Sequence, residues 1–142
     1  MFMKKLLTIP FLFFLFISCN KDDDPPTCTT TAATLTGTHK VIASTYKETP
    51  TSDETDEYAL REACEKDDLI VLNSNNTYNA TDAGIACAPP NDDSGNWGLS
   101  GSTLTIDGDQ VTIKSFDCKT LVLVQSNLDS PGDLLTITLQ KQ

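Results

Sequence analysis

From Leu35 to the end of the chain, apolar and polar residues alternate at period two over short runs bounded by Gly, Asn, Asp, Ser or Pro. Successive side chains of a strand point to opposite faces, so this pattern builds half-buried strands. Leu35, Gly37, His39, Val41 and Ala43 fall on one face of the first run, and Thr38, Lys40 and Ser44 on the other. Leu104 and Ile106 alternate with Thr103 and Thr105. Asp107-Gly108 then turns the chain before Val111 and Ile113, which is a favoured hairpin signal.

Eight strands are expected, near 35–46, 68–73, 77–82, 95–99, 103–107, 110–116, 120–126 and 133–141. A short helix is expected between the first two, capped by Thr55, with Asp56 and Glu57 in its first turn and an apolar stripe of Ala59, Leu60 and Ala63. Short connections place neighbours in sequence beside one another in space, so the sheet is an antiparallel meander. Eight such strands with one apolar face close into an up-and-down barrel, which leaves no exposed edge. The expected fold class is therefore all-β, and the expected assembly state is a monomer.

The first residues follow a different logic. Lys4 and Lys5 precede an apolar stretch from Leu6 to Ile17, which is too short to span a bilayer as a helix and reads as a secretory leader. Five of the six Phe lie in this segment, leaving Phe116 alone beyond it. The segment ends in Phe16-Ile17-Ser18-Cys19, which resembles the lipobox of bacterial lipoproteins. That resemblance implies cleavage before Cys19 and acylation of Cys19, and two or more acyl chains hold a protein durably to a membrane. The following Asn20-Lys21-Asp22-Asp23-Asp24 resembles the export signal of surface lipoproteins in Bacteroidetes. The expected organisation is a leader over 1–18, a lipidated acidic tether over 19–33 and a barrel domain over 34–142. The expected location is the outer membrane, facing the cell exterior, with the periplasmic face as the alternative.

After cleavage the chain would carry eight Lys or Arg against twenty Asp or Glu, a net charge of −12. Such a balance excludes binding to nucleic acid through its phosphates and adsorption to anionic lipid through a basic patch.

Five cysteines make an odd number for an exported chain. Assigning Cys19 to lipid leaves Cys28, Cys64, Cys87 and Cys118, an even set for an oxidising compartment. In the hairpin turning at Ser74-Asn75-Asn76, opposed residues sum to about 150 by hairpin pairing, which sets Cys64 across from Cys87. Cys28 then pairs with Cys118 by elimination. The four cysteines lack the C-x2-C spacing of a zinc site, and no metal or cofactor is expected.

Leu35-x-Gly37-Thr38-His39-Lys40, Cys64-x-Lys66-Asp67-Asp68, Cys87, and Gly95-x-Trp97 followed by Leu104-Thr105-Ile106 together resemble the lipocalin-like domain of Bacteroidetes lipoproteins. The resemblance covers about residues 33–142 and implies a small calycin-type barrel with a Cys64 to Cys87 bridge. It implies no particular activity. His39 stands where the first strand of that family usually carries a Trp that plugs the barrel floor.

An enzyme is not expected. His39 is the only His, and parity puts it on the apolar face, where a packed imidazole is commoner than a catalytic base. No Gly-x-Ser-x-Gly elbow, P-loop or His-Glu-x-x-His helix occurs. Asp67-Asp68 point apart if extended, and the oxygen-rich, loop-like run 91–96 lacks calcium-loop spacing. What remains is a lipid-anchored barrel for a small apolar or mixed ligand, with His39, Tyr78 and Trp97 as candidate contacts. The competing expectation is an interaction module that presents residues 47–67 and 83–94 to a macromolecule, with no ligand cavity.

Overall fold

The computed structural model describes residues 28–142; the leader, Cys19 and most of the acidic tether lie outside them. The chain runs α1 (Ala32–Leu35), β1 (Gly37–Lys47), β2 (Thr55–Asp56), α2 (Glu57–Leu60), β3 (Leu69–Leu72), β4 (Thr77–Thr81), β5 (Asp93–Ser100), β6 (Thr103–Ile106), β7 (Asp109–Phe116), β8 (Thr120–Ser126) and β9 (Leu134–Lys141). From β3 to β9 each strand pairs antiparallel with the next, and β1 pairs with both β3 and β9, closing the sheet. Eight strands of four to eleven residues thus form a closed antiparallel barrel. The two residues of β2 add only a margin beside Thr45 and Tyr46.

The barrel's two ends differ. At the end where β1 begins, the tight turns after β3, β5 and β7 gather, and α1 lies ahead of β1. A capping box fixes α1, with Thr31 and Thr34 each bonding the other's backbone N–H. Leu35, the last residue of α1, is fully buried among Leu72, Trp97, Leu121 and Leu139. Burying such a side chain contributes about 1.5–3 kcal/mol. The disulfide between Cys28 and Cys118 joins the incoming chain to the β7–β8 turn at this closed end. Residues 28–33 therefore belong to the folded body, although the sequence reads them as tether.

The opposite end is built from the long connections 48–68 and 82–92 and the 127–133 loop. Here β1 has outrun β3: their pairing covers only Gly37 to Lys40, whereas β1 stays on β9 as far as Lys47. The seam left between β1 and β3 is occupied by β2 and α2. The second disulfide, Cys64 to Cys87, ties the segment after α2 to the 82–92 loop. Asp67 and Asp82 fasten that loop further by accepting from the backbone N–H groups of Ile85 and Cys87.

Several local expectations require correction. A bulge at Ile42 shifts the β1–β9 register, so Ser44 turns inward to 2% exposure and Ala43 turns outward opposite Thr138. The cap of α2 is Asp56 and not Thr55, its carboxylate accepting from Ala59 N–H at 2.9 Å. The Ala59, Leu60, Ala63 stripe is not buried, and Leu60 is 72% exposed. The strand expected near 95–99 begins two residues earlier, so Asp93 and Ser94, read only as loop, form the start of β5 paired with β4.

Candidate functional site

Inward-facing residues of seven strands enclose an interior cavity of about 280 Å³. Val41, Ile70, Leu104, Leu121, Leu123 and Leu139 supply most of its wall. Polar or charged character enters only through His39, Tyr78 and Arg61. The volume sits just under the ~300–1,000 Å³ usual for small-molecule sites, and equals roughly nine waters' share of liquid.

His39 stands low on β1 and is 1% exposed. Its Nε2 lies 2.7 Å from the Leu35 carbonyl. A carbonyl only accepts, so Nε2 carries the hydrogen and neutral Nδ1 is left as an acceptor. No partner meets Nδ1 among the described residues. Burial lowers the His39 pKa, outweighing the Leu35 carbonyl that favours the cation, and Lys141 adds to the lowering. The imidazole is therefore neutral. His39 and Leu35 thus pack together at the end of the barrel where β1 begins.

Tyr78 on β4 is 6% exposed, and its hydroxyl lies 2.7 Å from Asp93 Oδ2 and 2.8 Å from Asp107 Oδ2. One phenolic hydrogen faces two acceptors. The bonds to Asp93 and Asp107, then burial, raise the Tyr78 pKa, so the hydroxyl stays protonated. Asp107 is held below the usual carboxylate range by the Asn96 N–H and the Tyr78 hydroxyl.

Trp97 is not part of the cavity wall. It is 3% exposed, with its indole N–H donating to the Asn73 carbonyl at 2.9 Å, and packs the β3–β4 turn onto the core. Of the three candidate contacts, the structure brings His39 and Tyr78 to the cavity and leaves Trp97 outside it.

Arg61 is the residue that sequence reading missed. It follows α2 as its C-cap and is half-buried in the seam between β1 and β3. There it lines the interior cavity and also an open outer pocket with Ser44, Tyr46, Glu57, Glu65 and Asp129. No ion pair within 4.0 Å and no side-chain hydrogen bond holds its guanidinium among the described residues. Its one sequence signal is that it is the sole Arg of the chain. Ser44, which lines the same outer pocket, is fully buried by contrast, and its hydroxyl has no partner among the described residues.

Among the described residues no three His, Cys, Asp or Glu side chains gather as metal ligands. The arrangement can enclose an apolar body, accept one hydrogen bond and offer one fixed positive charge. The family model of the lipocalin-like domain matches residues 35–123, well over half of the chain. This chain belongs to the lipocalin-like domain family. No curated protein and no solved structure matches it. The lipocalin-like fold is typically a binding scaffold without enzymatic activity, and the match spans β1 to β8, including His39, Arg61 and Tyr78. In this lipocalin-like barrel, as in eight-stranded barrels generally, the interior is wide enough for side chains or one small ligand.

Proposed function

We propose that this chain is a lipid-anchored surface lipoprotein of Bacteroidetes type whose barrel holds one small, largely apolar ligand. The observation that carries the reading is the interior cavity of about 280 Å³, walled by aliphatic side chains and reached from the 48–68 side of the barrel. A well-formed apolar pocket with a few polar groups is the form that small-molecule sites take. Anchoring and export rest on the lipobox-like Phe16-Ile17-Ser18-Cys19 and the acidic run after it.

The ligand reading is tested with the full chain in lipid nanodiscs, using hexanol as a neutral probe and empty discs as the background. Hexanol should bind one per chain, and Ala80→Leu, which fills the cavity wall, should abolish that binding with the denaturation midpoint retained. Equal binding by both proteins, or none by either, overturns the reading. The anchor is tested by labelling cells with radioactive palmitate, where Cys19→Ala should remove the label.

A further inference from the structure

We infer that the ligand is a small organic anion, with a carboxylate held by Arg61 and an apolar body directed toward the floor. The inference rests on the cavity-binding reading above and adds charge and orientation to it.

The interior wall contains one side chain with a full charge, Arg61, because His39 is kept neutral. A guanidinium presents a planar fork of donors that matches a carboxylate in two parallel bonds. Nothing among the described residues accepts from that fork. A partly buried charge beside an apolar cavity interacts more strongly with a counter-ion than it would in bulk water. The fork at the cavity wall is thus open to an anion of the right size.

Three carboxylates oppose this assignment: Glu57, Glu65 and Asp129 share the outer pocket with Arg61. None of them reaches the interior wall. One is also engaged, since Glu65 accepts from the Glu62 N–H at 2.8 Å. These acids weaken long-range attraction of an anion to the mouth, while at contact distance inside the seam Arg61 is the only charge a ligand meets. They also disfavour a head group that projects outward with more than one negative charge. A monocarboxylate with a short apolar chain satisfies both conditions.

Orientation follows from position. Arg61 stands at the open seam, and the floor is closed by Leu35 and His39. A carboxylate on Arg61 therefore leaves the chain of the ligand pointing inward, among Ile70, Leu104, Leu123 and Leu139.

The test compares hexanoate, hexanol and hexylamine on the full chain in nanodiscs, by equilibrium dialysis against empty discs. Hexanoate should bind about tenfold more tightly than hexanol, the size of one charge-assisted interaction. Arg61→Gln should bring the hexanoate-to-hexanol affinity ratio from about ten down to about one, and Arg61→Lys should restore part of the ratio. Added salt should weaken hexanoate alone. Equal binding of hexanoate and hexanol, a preference for hexylamine, or a parallel loss of both probes in Arg61→Gln overturns the assignment while the cavity reading stands. Failure of all three probes to bind removes the assignment together with the cavity reading.

Discussion

The hydroxyl of Tyr46, near the end of β1, donates to Asp133 Oδ2 at 3.1 Å across 87 residues of chain. Asp133 is fully buried and also accepts from the backbone N–H groups of Leu128, Asp129 and Ser130 at 2.7–2.8 Å. One carboxylate therefore organises the 127–133 loop and ties it to the strand that borders the mouth.

Asp133→Asn should loosen that loop, because an amide group presents donors to donors. Burial alone would raise the Asp133 pKa, but the three N–H groups and Tyr46 outweigh it and the net shift is downward. A depressed carboxylate stabilises the fold above its unfolded value, here 3.8, and that contribution is lost as pH falls through the lower folded value. Hydrogen exchange should show Leu128, Asp129 and Ser130 losing about tenfold or more of their protection in the variant. Unchanged protection would mean that the loop is held by something else.

His39 predicts a second pH effect in a different range. Its folded pKa lies below the ordinary 6.5, so between the two values the unfolded chain binds a proton that the folded chain does not. Stability is then complete above 6.5 and declines as pH falls toward the folded value. No other His titrates there. Denaturation midpoints at pH 7.5 and 5.5 should differ for the native chain and converge for His39→Gln. A drop of the same size in both proteins would refute the assignment.

Gly95 faces Asp107 so closely that a methyl group added to it would overlap both carboxylate oxygens. Gly95→Ala must displace Asp107 from the Asn96 N–H and from the Tyr78 hydroxyl. A cost of about 1–3 kcal/mol is expected for such overpacking. Combined with Asp107→Ala, the loss should be well below additive, since the clash is already gone. Urea denaturation of the two single variants and the double variant measures it, and simple additivity would show that the contact is not the cause.

The barrel was legible because its strands announce themselves by alternation, and alternation also dictates closure once one face is apolar. The errors cluster where that signal is interrupted. Parity counted from Leu35 runs correctly to Val41 and fails at Ser44, since a bulge adds a residue that no pattern marks. The helix α1 is four residues long, too short for a periodic stripe, and only the Thr31 and Thr34 pair hints at it. His39 and Tyr78 could be placed on the inner face by counting. Arg61 could not, because its position depends on how a long connection folds back over the gap beside β1 ahead of the start of β3. Trp97 shows the converse: an inward aromatic can serve the turn beneath it and never meet the cavity.

The bond between Cys28 and Cys118 fixes which pole of the molecule receives the preceding segment. Any tension carried by that segment enters at the β7–β8 turn, on the far side from Arg61 and the 127–133 loop. The rim around the interior cavity stands at the opposite pole, so a pull applied to the chain ahead of Cys28 would be borne by the β7–β8 turn and not by the entrance.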